Sequence, residues 1–405
     1  MLKQKWLVVA LVLMMALALV AGCGTQTGGD TTGDDASGDA AAVVKVGFMG
    51  PITGANAAEG SAARNAFQMA FDQLNASGEL SYTVEVVAMD DASKPETGAS
   101  AAQKLTAEEG MVAISGHWNS PVAEATIPIC KQAEIPLVIW GAIRETLTSA
   151  DNYPIVTRVC PTEVQENSPI AKAVLGDMGY KKIYIVSDVT SYGEGNTAAF
   201  TKEIENYGAE LVGVEKIQTG TTDFRPILAK IKQTDAEAIY FGGVVQEAGL
   251  CKRQMADAGM NDLLFFGISG ISSEDFFTAA GDAAEGTFSI KPGVDPNKTE
   301  VGKAFLESYA AANFDVPVGA FTPYAYDAAQ VIIAALKSVD GVPTAAQMTD
   351  AIANVQAEGL LGTTTFDEIG QTTNPAAYAL VAQDGAWVPW VDSEYAAGTR
   401  SLPKK

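Results

Sequence analysis

Ala113-Ile114-Ser115-Gly116-His117-Trp118-Asn119-Ser120-Pro121 is the stretch whose reading decides the fold. The apolar run at 111–114 reads as a buried strand, and it breaks at Ser115-Gly116. Ser120-Pro121 then sets an N-cap residue ahead of a proline at the first helical position, the order a helix start favours. A helix that begins at the C-terminal end of a parallel strand turns unpaired N–H groups outward. Together with the helix dipole these suit a carboxylate or a phosphate. Ligands of open α/β sheets sit along that edge. The plain alternative is an ordinary strand-to-helix turn, of which any α/β chain has many.

Outward from that stretch, strands and helices alternate. Toward the N-terminus, strand patterns at 44–49 and 82–89 are each followed by a helical pattern, at 60–75 and 92–109. Beyond it come a helix at 121–133, with Pro128 set to kink or shorten it, and strands at 136–140 and 155–159. A second series follows: helices at 163–178, 196–207, 224–232 and 247–258, and strands at 182–186, 210–217, 238–242, 263–266 and 287–290. Each series reads as βαβ units around a parallel sheet and has the size of one domain. A helical block at 299–313, 325–339 and 344–355 comes next, then a β-like tail at 377–381 and 387–391 around Asp384-Gly385, a hairpin signal. That block must pack on a series already complete, so the chain crosses between two lobes more than once.

The 405 residues are enough for two domains with real cores. Lys3 and Lys5, the apolar run at 6–21 and Val20-Ala21-Gly22-Cys23 form a secretory signal. The pattern resembles a bacterial lipoprotein signal, with residues 1–22 removed and Cys23 lipidated as the first mature residue. A lipid there tethers a domain to a membrane without spanning it. Residues 23–43 are small and acidic, with almost no large apolar side chain, and read as a flexible leash. Cys130, Cys160 and Cys251 lie too far apart in sequence to suggest a metal pair, so no metal and no cofactor is expected. The formal charge of −23 repels nucleic acid and anionic lipid.

The whole of 45–390 resembles the type I periplasmic binding proteins, in the leucine/isoleucine/valine-binding branch that serves ABC importers. The resemblance rests on Lys45-Val46-Gly47-Phe48-Met49-Gly50-Pro51-Ile52-Thr53-Gly54, on Asp90-Asp91, and on Gly116-His117 with Ser120. It continues through Ser187-Asp188 with Tyr192-Gly193-Glu194-Gly195, Asp223-Phe224, Tyr240-Phe241-Gly242-Gly243 and the stretch 286–292. It implies two Rossmann-like lobes joined by three crossovers, near Pro161-Thr162, Lys291-Pro292-Gly293 and Ile369-Gly370. Lobe one is then 44–161 plus 293–369, lobe two is 162–292 plus 370–392, and 393–405 is a tail. A ligand between the lobes favours the closed form.

The family's ligand residues carry over unevenly. The serine that takes an amino-acid carboxylate falls on Ser120, beside Trp118 and Asn119, and the next ligand loop falls on Gly141-Ala142-Ile143. There a small residue offers its carbonyl to the ammonium, but Ile143 replaces a threonine and the hydroxyl is lost. The second-lobe tyrosine falls on Tyr192 and is kept. The acid that pairs with the ammonium falls on Ser269, and two family aromatics fall on Glu59 and Val244. The family's disulfide near the ligand falls on Ser93 and Asn119 and is absent. A buried ammonium without a counter-charge is costly, so either Glu59 or Glu247 replaces the lost acid or the ligand has no ammonium. Glu59 reads either as facing the cleft or as a solvated helix-start acid. Trp118 and Trp140 are candidate walls for a flat or apolar group or a clasp for a cation, with core packing the alternative; Arg144 and Arg158 could bind an acid side chain, with a surface place as the default reading.

An exported enzyme is the first rival. A Ser-His-acid triad would have to use His117, the one histidine, and Gly267-Ile268-Ser269-Gly270 lacks the spacing of a nucleophile elbow. Gly193-Glu194-Gly195-Asn196-Thr197-Ala198 matches a dinucleotide fingerprint only loosely and out of context. A module that senses a non-amino-acid carboxylate or amide is the second rival. The expectation is therefore a monomeric, lipid-anchored, non-enzymatic binding protein outside the cytoplasmic membrane. It would hand an amino acid to the permease and ATPase subunits of an importer.

Overall fold

The computed structural model describes residues 42–403, and in it the alternation resolves into two sheets. The leader, Cys23 and the leash up to residue 41 lie outside the described residues. The first sheet has the order β2-β1-β3-β4-β5. Its strands are β1 (Val43–Gly50), β2 (Thr83–Asp90), β3 (Met111–Ser115), β4 (Leu137–Ile139) and β5 (Val156–Arg158), every neighbouring pair parallel. Helices α1 (Ala57–Ser77), α2 (Pro95–Thr106) and α3 (Ser120–Ala133) make the crossovers. Contrary to expectation α3 runs through Pro128.

The second sheet has the order β14-β13-β10-β9-β8-β6-β7. It begins after α4 (Glu163–Ala171), which Thr162 opens with a capping box. Pro169 interrupts the ladder of α4, and the chain relaxes into a wider turn over Lys172–Asp177 instead of continuing as one helix. β6 (Lys182–Asp188), α5 (Ser191–Asn206), β7 (Glu210–Ile217), α6 (Arg225–Ile231), β8 (Ala238–Gly242), α7 (Val245–Asp257), β9 (Leu264–Gly267), α8 (Asp275–Ala280) and β10 (Phe288–Pro292) follow. Helices α9 (Glu300–Ala311), α10 (Thr322–Ser338) and α11 (Ala345–Ala353) then return to the first sheet, with α10 on α1 and α11 on β3. A short hairpin, β11 (Ala357–Gly359) with β12 (Gly362–Thr364), follows. Gln371 still bridges to Arg158 of β5, and β13 (Ala377–Gln383) then enters the second sheet antiparallel to β10, with β14 (Ala386–Pro389) outside it.

The inner strands are almost wholly apolar, as strands covered on both faces must be, while the edge strands β2 and β7 are partly exposed. Phe48 stacks on Trp140 at 5.7 Å between ring centroids, and Phe200 on Tyr240 at 4.2 Å. Trp140 also donates its indole N–H to the Met49 carbonyl at 3.1 Å and is fully buried, so it is core and not a cleft wall. Cys130, Cys160 and Cys251 are free and buried, and burial pushes the Cys130 and Cys160 thiols up to about 12.

The hairpin is anchored from α10. The buried Asp327 carboxylate accepts the N–H groups of Leu360 at 2.7 Å and Leu361 at 2.9 Å. Asp327→Ala leaves both amides buried without a partner, at about 1–3 kcal/mol each. The expected outcome is a clear fall in the thermal midpoint, read by calorimetry.

Candidate ligand-binding site

The loops at the C-terminal ends of the strands face one another across a cavity. From the first sheet's side come Asn56 after β1, Ser93 after β2, Trp118, Asn119 and Pro121 after β3, Gly141 after β4, and Phe321 at the start of α10. From the second come Asp188, Thr190 and Tyr192 after β6, Thr219 after β7, Val244 after β8, and Ser269 and Gly270 after β9. Parallel strands with right-handed crossovers deliver their loops to one edge, so residues far apart in sequence meet there.

The loop after β3 is held from beneath. His117 is fully buried, with Nδ1 2.8 Å from Asp91 and Nε2 2.9 Å from Thr126. Both ring nitrogens are thus engaged in positioning Trp118. The His117 carbonyl accepts the Gly141 N–H at 3.0 Å. A Cβ on Gly141 would stand 3.1 Å from the Trp118 Cα, so glycine permits that approach. Asp90 and Asp91 receive the amides of Ala92 and Ser93, both 2.9 Å away, and hold these residues at φ 49° and 58°, a left-handed conformation that side chains rarely adopt.

Several sequence expectations are corrected by this geometry. Ser120 is fully buried and does not line the cavity; its Oγ accepts the Arg144 N–H at 3.2 Å. In the first turn of α3, Pro121 has no N–H, and Val122 and Ala123 both donate to the Asn119 carbonyl. The Ser120 amide is left as the first-turn donor. Ala142 and Ile143 are buried, and the Ala142 carbonyl accepts from Arg158 at 3.2 Å. Glu59 turns away from the cleft and accepts the Ala320 and Phe321 amides at 3.1 and 2.5 Å. Burial raises its carboxyl above the ordinary carboxylate range. Its work is to hold Phe321, whose ring meets Trp118 edge-on at 6.4 Å. Glu247 accepts the Gly220 amide at 2.7 Å beneath the Thr219 loop. Neither Arg144 nor Arg158 is a surface residue: Arg158 is fully buried, and Arg144 Nη1 donates to the Ser191 carbonyl of α5 at 2.6 Å.

Trp118, Asn119, Gly141, Tyr192, Val244 and Ser269 do line the cavity. Phe321, Asn56, Asp188 and Thr219 were not legible as site residues, although Asp188 stood inside a quoted motif. The Asn56 Oδ1, Asn119 Oδ1 and Tyr192 hydroxyl are buried and carry no hydrogen bond. Asp188 accepts from the Thr190 amide at 2.8 Å and its hydroxyl at 2.5 Å, and burial raises its carboxyl. Among the described residues no lysine or arginine lines the cavity.

Residues 43–386 match the model of a periplasmic binding protein family. The chain belongs to that family. A Leu/Ile/Val-binding protein homolog of Brucella melitensis is 30% identical over 344 residues, covering 84% of this chain and 92% of the relative. The leucine-, isoleucine-, valine-, threonine- and alanine-binding protein of Pseudomonas aeruginosa is 28% identical over 339 residues, 83% of this chain and 88% of the relative. Among solved structures, the branched-chain amino acid transporter substrate-binding protein LivJ of Streptococcus pneumoniae, in complex with isoleucine, superposes with a TM-score of 0.77 at 26% identity. The match covers 86% of this chain and all of that one, the neighbour's share being 100%. An ABC-transporter solute-binding protein of R. palustris in complex with benzoate has a TM-score of 0.76 at 24% identity over 86% of this chain and 95% of that one, a likeness of fold alone. The two-lobed α/β fold of periplasmic binding proteins is therefore the fold of this chain. Among the described residues no helix is long and apolar enough to cross a membrane.

In a periplasmic binding protein the contacts between lobes matter most. Arg144, on the loop after β4 of the first sheet, reaches α5 beside the second sheet, where a Cβ on Gly195 would lie 2.7 Å from its Nη1 and 2.4 Å from Glu163 Oε1. Arg144→Ala removes a charge-assisted hydrogen bond of about 1.5–3 kcal/mol. It is expected to shift the ligand-free protein toward an open form, seen as a larger radius of gyration in small-angle X-ray scattering. Burial also pushes Glu163 and Glu166 up to about 7. An acid raised in the folded state makes that state bind more protons than the unfolded chain, so stability falls as pH rises through about 7. The denaturation midpoint is expected to be higher at pH 6 than at pH 8, and Glu163→Gln to reduce the difference.

Proposed function

We propose that this protein is a lipid-anchored substrate-binding protein of an ABC importer that holds an amino acid with an apolar side chain between its lobes and delivers it to a permease. The observation that carries this reading is the cavity lining. Trp118, Phe321, Tyr192 and Val244 supply apolar walls. The Asn56 and Asn119 carbonyl oxygens, left without partners, and the Asp188 carboxylate offer acceptors to an ammonium. The N-terminal end of α3, beside the cavity-lining Asn119 and Pro121, offers its dipole to a carboxylate. A cavity with acceptors and an acid but no cationic side chain suits a ligand that brings its own N–H donors. The relatives named for leucine, isoleucine and valine support the same class. The sequence of the leader, ending in Val20-Ala21-Gly22-Cys23, supports anchoring through Cys23.

A thermal-shift panel on residues 43–405 tests the reading. It pairs aliphatic and aromatic amino acids with their decarboxylated amines and their deaminated acids. A ligand at a hundred times its dissociation constant stabilises by about 2.7 kcal/mol, a rise of a few degrees. The expected response is to amino acids and not to the amines. A response confined to acids without an amine, the aromatic acids included, would overturn it.

A further inference from the structure

We propose that Glu166, acting through Ser269, is the positioning residue that selects the ligand's ammonium at the second-lobe end of the cavity. The inference rests on the amino-acid reading and adds to the cavity-lining Asp188 a second carboxylate, one layer behind the wall, where neither Glu59 nor Glu247 serves. Ser269 lines the cavity, and Glu166 stands directly behind it on α4, 0% exposed. Glu166 Oε2 accepts the Ser269 hydroxyl at 2.5 Å and its amide at 3.3 Å, while Oε1 is buried and has no hydrogen-bond partner. A carboxylate so placed needs a positive charge nearby, and no basic side chain hydrogen-bonds to it among the described residues.

The chemistry follows from the hydroxyl's single proton. With Glu166 ionised, the Ser269 O–H is committed to the carboxylate, and its lone pairs are left to accept an N–H from the cavity. The negative charge one bond behind makes that acceptor stronger, as charge-assisted hydrogen bonds are. With Glu166 protonated the direction reverses: the acid donates to Ser269, whose own proton is freed to turn toward the cavity, and an ammonium meets a weaker acceptor with no charge behind it. The groups around Glu166 are Glu163 on the same helix, with Arg144 and Arg158 beyond it, Tyr192 on α5, Tyr240 on β8, Cys160 after β5 and Tyr324 on α10. Glu163 is the one acid among them, and it opposes the ionisation of Glu166 in the empty site. Burial holds that ionisation near neutral pH, at about 7. An ammonium that binds draws the proton off.

The test is calorimetric titration with two pairs of probes, L-leucine with 4-methylpentanoate and L-phenylalanine with 3-phenylpropionate, at pH 6, 7 and 8. In the wild type the amino acids are expected to bind more tightly than their deaminated partners. Their affinity should fall about tenfold from pH 8 to pH 6, as one group near 7 takes up its proton. Glu166→Gln, of equal size, is expected to abolish that slope and most of the preference for the amine. Ser269→Ala, which leaves Glu166 in place, should lose the preference as well, and it keeps the test decisive where Glu166→Gln does not fold. If the wild type prefers the amino acids and the variants keep both slope and preference, the role of Glu166 is overturned while the amino-acid reading stands. If the wild type binds only the deaminated acids at every pH, the amino-acid reading falls and takes this inference with it.

Discussion

The buried guanidinium of Arg158 is the constraint around which the two halves of the chain are assembled. It is fully buried and reaches Gln371 Oε1 at 2.6 Å, the carbonyls of Ala142 and Arg144 at 3.2 and 2.6 Å, and Thr148 Oγ1 at 2.8 Å. Burial lowers its pKa, so each of these acceptors matters to the charge. Gln371 then passes the constraint on by donating to the Cys160 carbonyl at 2.9 Å, at the point where the chain leaves the first sheet. One side chain thus ties the ligand loop after β4 to the segments that connect the lobes. Arg158 and Gln371 thereby hold the chain at 158–160 against the chain at 371.

The site above it shows how the chain uses buried acids. Glu59 orders the Phe321 loop, Glu247 the Thr219 loop, Asp91 the histidine beneath Trp118, and Glu166 the cavity hydroxyl of Ser269. Each carboxylate accepts a backbone N–H or a side-chain proton, so each buys position from a charge that is expensive to bury. Phe321, which Glu59 holds, gives the cavity an aromatic wall, and Glu166 stands one layer behind the cavity-lining Ser269.

Much of the fold was legible because it depends on periodicity. The strands at 210–217 and 238–242 were read to the residue, since an apolar run between turn residues leaves little freedom. The hairpin β11–β12 and the short helix α8 were missed, as three- and six-residue elements lie below what a pattern can show. Helix α5 starts at Ser191, several residues before the expected 196, because Thr190 caps it with its side chain and Gly193 and Gly195 are accommodated by close packing. From residue pattern alone the site was legible only where it sits directly on a strand end. Trp118 was read from its place at a strand end, whereas Asn119, Gly141, Tyr192, Val244 and Ser269 came from the family resemblance.

By itself the sequence determined the class of fold, the alternation of strand and helix, and which loops lie at the ligand edge, because these follow from local period, capping and the handedness of parallel crossovers. It also carried the leader pattern that ends in Val20-Ala21-Gly22-Cys23, which is legible from residue order alone. Only the tertiary structure decided which side chain faces the cavity. Ser120 and Asn119 are neighbours, yet one is buried against Arg144 and the other opens onto the ligand space; Glu59 and Phe321 are 262 residues apart, yet one holds the other. Such choices are set by hydrogen-bond partners that the chain brings together from elsewhere, and no local pattern records them.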